Sequence, residues 1–187
     1  SMLKKPEIIV FAGPNGSGKS TITKMASIIE PYINADDIKR ANYCTDMEAA
    51  IMADEKRNAL IDANKSFTFE TVLSTDRNLK LLRRAKDNGY FIRCIYVLTA
   101  DPQINVDRVF VRAQSGGHDV PKDKIISRYE KALDLIPQLI NVCDVCHIYD
   151  NSNEPERIFK KRKTDFFYWE NAFWTKSDIE RLTKIDF

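Results

Sequence analysis

Between residues 13 and 20 the chain reads Gly13-Pro14-Asn15-Gly16-Ser17-Gly18-Lys19-Ser20, followed by Thr21. The spacing G-x-x-x-x-G-K-[ST] is what a phosphate-holding loop requires. Phosphate oxygens need several donors converging from one side, and glycines let successive backbone N–H groups point inward without side-chain clashes. A helix beginning at Lys19 adds the positive end of its dipole. Lys19 can then reach the β- and γ-phosphates of a nucleoside triphosphate, ATP or GTP, while the Ser20 hydroxyl is placed to ligate Mg²⁺. The whole run 13–21 is therefore read as the nucleotide-binding segment.

A triphosphate loop does not say where the phosphate goes. Transfer to an acceptor needs a group that takes the acceptor's proton and cations that follow the moving charge. The carboxylates Asp36 and Asp37 close a short apolar segment, Tyr32-Ile33-Asn34. Glu70 and Thr71 close another, Phe67-Thr68-Phe69, with Ser74 just beyond. A carboxylate at the end of an apolar run is costly unless it is paired or serves a site. Arg108 and Arg112 are four residues apart and so share a helix face. They precede a loop, Ser115-Gly116-Gly117-His118-Asp119-Val120-Pro121, and Arg128 follows it on the next helical segment. Arginines on two helices joined by a glycine loop suit a lid over a phosphate site.

These groups need a frame. Residues 7–12 are short and nearly all apolar, as a strand buried on both faces must be. Helical spacing predicts helices over 19–29, 46–63 (with Asp46 as N-cap), 77–88, 102–114 and 122–135. Strands are expected at 32–34, 66–71, 90–99 and 142–149, then a basic hairpin at 157–167 and a last helix at 177–184. Strands alternate with helices almost throughout. The expected fold class is α/β, a three-layer α/β/α arrangement of the P-loop NTPase kind, with a mostly parallel sheet and helices on both faces. Ligands of such sheets collect at the carboxyl ends of the strands, where the loop, Asp36, Asp37, Glu70 and Thr71 all fall. One domain is expected over 2–187, with a lid at about 103–135 and a C-terminal hairpin and helix extension at about 154–187.

Bulk composition narrows the class. The chain has 187 residues, 43% hydrophobic and 30% charged, and a formal net charge of +2. That is a globular composition. Nearly balanced charge argues against nucleic acid as a partner, so that any affinity for polyanions must come from a local cluster such as Lys160-Lys161-Arg162-Lys163. No apolar run is long enough to span a bilayer and no secretion signal is read, which points to the cytoplasm and to no membrane partner. Four cysteines are too few for a disulfide scaffold. Cys143-Asp144-Val145-Cys146-His147 fits a haem-attachment pattern, but its apolar surroundings read as a strand with reduced thiols.

Four segments together resemble the zeta toxin-like kinases, a bacterial P-loop family. They are Phe11 to Thr21, Ile33-Asn34-Ala35-Asp36-Asp37-Ile38, Phe69-Glu70-Thr71-Val72-Leu73-Ser74, and Gly116-Gly117-His118-Asp119-Val120-Pro121 with Ile126-Ser127-Arg128-Tyr129. Val72 stands where better-known members carry a second threonine, and His118 falls close to a lid arginine of some members. The resemblance implies an ATP- or GTP-dependent kinase acting on a sugar hydroxyl of UDP-N-acetylglucosamine. It implies Asp36 as general base, Lys19 and Ser20 on triphosphate and Mg²⁺, and Arg112 and Arg128 as phosphate clamps. Glu70, with Asp37, Thr71, Ser74 and His118 near it, would serve the acceptor. An antitoxin protein is the partner the resemblance suggests.

Overall fold

The fold was obtained as a computed structural model that describes residues 4–187; the first residues of the expected domain lie outside the described residues. Seven strands form one sheet in the order β2-β3-β1-β4-β5-β6-β7. They are β1 (Glu7–Ala12), β2 (Tyr32–Ile33), β3 (Phe67–Thr71), β4 (Phe91–Leu98), β5 (Val145–Asp150), β6 (Glu156–Arg162) and β7 (Asp165–Tyr168). The first five run parallel; β6 and β7 add an antiparallel hairpin at the β5 edge.

The helices are α1 (Lys19–Met25), α2 (Ala35–Asn42), α3 (Asp46–Asp62), α4 (Arg77–Asp87), α5 (Pro102–Gln114), α6 (Lys122–Asp134), α7 (Ile136–Val142) and α8 (Lys176–Thr183). The sheet's two faces are covered unequally. One face of β1 and β4 presents Ile8, Val10, Ile92, Cys94 and Tyr96 to the main core, which α3, α4, α7 and α8 complete. On the other face Ile9, Phe11 and Val97 pack against Ile22 of α1. Strand alternation accounts for the split, since successive side chains point to opposite faces. A third small cluster, Val109, Val120 and Ile125, ties α5 to α6 in the lid region.

Several expected boundaries moved. The helix expected over 19–29 stops at Met25, because the Ile29 backbone turns to β3, donating to Thr68 Oγ1 at 2.9 Å and accepting from it at 2.8 Å. The N-cap of α3 is Thr45, not Asp46; Thr45 and Glu48 form a reciprocal capping box. A separate helix, α7, occupies much of the stretch between α6 and β5, with a proline in its first turn. Strand β5 accordingly begins at Val145, so Cys143 caps α7 while Cys146 lies on the strand.

Candidate functional site

The loop after β1 is shaped by glycine where the backbone has no alternative. Gly13 has φ +146°, and a Cβ there would stand 2.0 Å from the Val97 carbonyl oxygen. Gly18, the residue before α1, has φ +96°, and its Cβ would strike the Asn151 side chain at 2.1 Å. The loop is also held from beneath. Asn151 Nδ2 donates to the Ser17 carbonyl at 2.9 Å, and Asn105 Nδ2 donates to the Asn15 carbonyl at 2.9 Å. Arg108 reaches the Asn151 carbonyl at 2.7 Å and the Ser17 carbonyl at 3.4 Å. Asn105 and Arg108 come from α5 and Asn151 from the end of β5, so that helix and that strand fix the loop's shape.

Lys19 is buried, and its ammonium donates to the carbonyls of Gly13 at 2.5 Å and Pro14 at 3.2 Å. Burial lowers its pKa from 10.5 to about 8; the nearby Glu70 and Asp36 charges oppose that shift and Arg112 adds to it. Lys19, Glu70, Asp36 and Arg112 thus share one electrostatic field. The sign of the pH effect follows. The ammonium is retained below about pH 8 and lost above it, so nucleotide affinity should be level below pH 8 and fall as pH rises beyond it. A Lys19→Arg variant, which keeps its charge throughout, should show no such fall; titration by isothermal calorimetry across that range decides, and identical profiles would remove Lys19 as the phosphate cation.

A cleft of about 910 Å³ opens over the loop at the carboxyl ends of the strands. Asn15, Gly16, Gly18, Lys19 and Ser20 line one wall. Asp36 and Asp37 come from α2, Glu70, Thr71 and Val72 from β3 and its end, and Arg112, His118 and Arg128 from the lid. Gly13, Pro14, Ser17, Thr21 and Ser74 fall outside this lining: Gly13, Pro14 and Ser17 are buried beneath the loop, and the Ser17 hydroxyl is buried without a protein partner.

The carboxylates differ in how they are held. Asn34, not Asp36, caps α2, its Oδ1 accepting from the Asp36 N–H at 2.8 Å. This leaves the Asp36 carboxylate exposed at the helix N-terminus and, among the described residues, without an ion pair. Asp37 pairs with Arg40. Glu70 Oε2 accepts from the Tyr32 hydroxyl at 2.5 Å and from Asn34 Nδ2 at 2.8 Å. Burial and the Glu70 carboxylate push the Tyr32 phenol up, so it stays a donor. Thr71 Oγ1 is occupied, accepting from the Leu73 N–H and from Asn78 Nδ2.

The arginines separate. Arg108 is spent on loop carbonyls and is absent from the cleft lining, whereas Arg112 and Arg128 reach it. Arg128 Nη1 donates to Asn15 Oδ1 at 3.4 Å, linking lid to loop. Gly117 packs on the end of α5, donating to the Arg112 carbonyl at 2.9 Å, and a Cβ there would meet that oxygen at 2.8 Å.

Some cleft residues escaped the sequence reading. Arg57 lies in the cleft wall, 6% exposed, with its guanidinium 5.2 Å from the Phe69 ring and Asp54 at 3.6 Å. It sits mid-helix with nothing local to mark it. Arg77 joins it on Asp54 at 3.1 Å. Asn151 carried a usable signal, since Asp150-Asn151-Ser152 closes β5 with polar groups as Glu70-Thr71 closes β3. The loop serine, lid cations and cleft carboxylates provide the hard oxygen donors and positive charges that a magnesium triphosphate needs.

The family model described as Zeta toxin matches residues 31–164, a span that takes in Asp36, Glu70, Arg112 and Arg128 and starts after the phosphate loop. A protein of Haemophilus influenzae is 31% identical over 127 residues, 65% of this chain and 91% of that protein. Among solved structures, a chain of the AvrRxo1-ORF1:-ORF2 complex with ATP superposes with TM-score 0.73 at 16% identity. It covers 96% of this chain, which spans 64% of its length. A chain from the PezAT chromosomal toxin-antitoxin system of Streptococcus pneumoniae superposes with TM-score 0.63 at 16% identity, covering 100% of this chain and 82% of its own. At these identities the superpositions show a shared fold.

Proposed function

The chain belongs to the zeta toxin family and has its P-loop kinase fold, and from that premise we propose that it transfers the γ-phosphoryl group of ATP or GTP to a sugar hydroxyl of UDP-N-acetylglucosamine or a similar nucleotide sugar. The observation that carries this reading is a single cleft in which Lys19 and Ser20 meet Asp36, Glu70 and the lid cations Arg112 and Arg128.

The roles follow from how each group is held. Backbone amides of the loop and Lys19 bind the β- and γ-phosphates. Ser20, with the neighbouring carboxylates, fits Mg²⁺, which when bound neutralises charge on the phosphates. Asp36, carrying no internal partner, accepts the proton of the acceptor hydroxyl as its oxygen attacks the γ-phosphorus and the bond to the nucleoside diphosphate breaks. Glu70, fixed by Tyr32 and Asn34, accepts hydrogen bonds from the acceptor sugar. Arg112 and Arg128 follow the charge that develops on the transferred group, and His118 sits beside them at the lid. The cleft wall at Arg57 and Arg77 adds cations on the acceptor side, as an acceptor with its own diphosphate would require. An antitoxin partner belongs to the same reading.

Incubation with ATP or GTP, Mg²⁺ and a panel of acceptors, read by mass spectrometry, tests this. We expect a single phosphate added to the nucleotide sugar. Phosphate on a nucleoside, nucleotide or antibiotic with none on the sugar would overturn the acceptor but keep the kinase. Hydrolysis unaffected by every acceptor would overturn both and leave an ATPase module.

A further inference from the structure

On β5 to β7 the sheet face opposite the main core carries half-exposed or exposed side chains apart from the buried Val145. On it the register sets His147 beside Lys160, Tyr149 beside Arg157, and Arg162 beside Val145. One strand further out, Phe167 lies opposite Lys160. We propose that this open face of β5 to β7 is a binding surface for single-stranded nucleic acid, separate from the phosphate cleft and independent of the kinase reading.

Two features carry it. The first is planar stacking surface. Phe167 and Trp169 are 46% and 40% exposed and stack at 6.5 Å and 21°. The Arg157 guanidinium lies 4.5 Å from the Trp169 ring, and the His147 and Tyr149 rings lie 6.4 Å from each other. Bases stack on aromatic rings and on guanidinium planes, and an open sheet face with such groups accepts two or three of them.

The second is unbalanced charge. Strand alternation divides the basic run: Lys160 and Arg162 face outward here, while Lys161 turns to the core side and donates to the Ile140 carbonyl at 2.8 Å. Among the described residues Arg157, Lys160 and Arg162 have no carboxylate partner. Arg93 is paired with Glu7 at 3.1 Å, and Asp165 lies opposite Arg162. His147 registers the local field: burial, then Arg157, Lys160 and Arg93, lower its pKa to about 4. The nearly neutral total charge had argued against nucleic acid; the fold gathers cations onto one face that composition averages away. A phosphate backbone matches the cations and its bases match the rings. An acidic peptide would match the cations alone.

Fluorescence anisotropy of the full chain with a labelled short single-stranded RNA, and with DNA of the same sequence, tests this. Binding should weaken with salt with a log–log slope of roughly −2 to −3, for three or four neutralised phosphates. Trp169 emission should be quenched, whereas Trp174, which is buried, should not respond. Trp169→Ala should weaken binding about tenfold or more, and Trp169→Phe should recover most of it. Arg157→Glu with Lys160→Glu should abolish binding, with melting temperature and nucleotide affinity at the cleft unchanged. Phe167→Ser offers a second exposed substitution with the same expected direction. Preference for RNA or DNA identifies the source and supports the proposal either way. Three outcomes would overturn it: no salt-dependent binding of either strand, displacement by a polyglutamate peptide at equal or lower concentration, or self-association that buries Trp169.

Discussion

Asp36→Asn should leave ATP or GTP binding intact and lower phosphoryl transfer by about 10²- to 10⁴-fold, the range for loss of a positioned proton acceptor. The substitution is nearly isosteric, so it tests charge and basicity alone. The structure distinguishes this carboxylate from its neighbours. Glu70 is held by Tyr32 and Asn34, and Asp37 by Arg40, whereas the Asp36 side chain opens into the cleft. The cap of α2 is made by Asn34, so the variant removes no helix cap. Nucleotide affinity, melting temperature and transfer rate should be measured on the same preparation. Turnover within threefold of the parent would remove Asp36 as the base and shift attention to Glu70. A parallel loss of nucleotide affinity would mean that Asp36 serves the metal or the phosphates.

Lys19→Met should abolish nucleotide-dependent transfer, with a loss of about 10³-fold or more, since a charged donor is removed where phosphate charge develops. The thermal consequence should run the other way. Burying the ammonium is unfavourable, as its lowered pKa shows, and the thioether fills a similar volume without that cost. The Gly13 and Pro14 carbonyls lose their donor, which offsets part of the gain. The melting temperature should therefore equal or exceed the parent's while activity disappears, as expected where a functional site holds destabilising charge. A strongly lowered melting temperature would assign Lys19 a structural role. Undiminished binding of magnesium nucleotide would separate the loop from the triphosphate altogether.

The phosphate loop was legible because its chemistry is local: glycines, lysine and serine at set intervals, directly after an apolar run and before a helix. The α/β class was legible for a similar reason, since periodicity marks each element independently. Boundaries moved where another residue offered a better partner: Thr68, far along the chain, took the Ile29 backbone out of α1, and Thr45, in a reciprocal box with Glu48, replaced Asp46 as the cap of α3. The arginines of the lid read alike in sequence; only packing sent Arg108 to the loop carbonyls and Arg112 to the cleft.

Read alone, the chain determined which segment grips phosphate, which fold class carries it, and which carboxylates and arginines compete for the remaining roles, because residue type and spacing carry that information within a few turns of backbone. Tertiary structure decided the rest: which carboxylate stays free, which arginine is spent on structure, that Asn105 on α5 and Asn151 at the end of β5 hold the loop from far along the chain, and that a chain of balanced charge has a cationic, aromatic face. Those outcomes depend on hydrogen bonds and fields between residues tens of positions apart, and such pairings exist only once the sheet has ordered its strands.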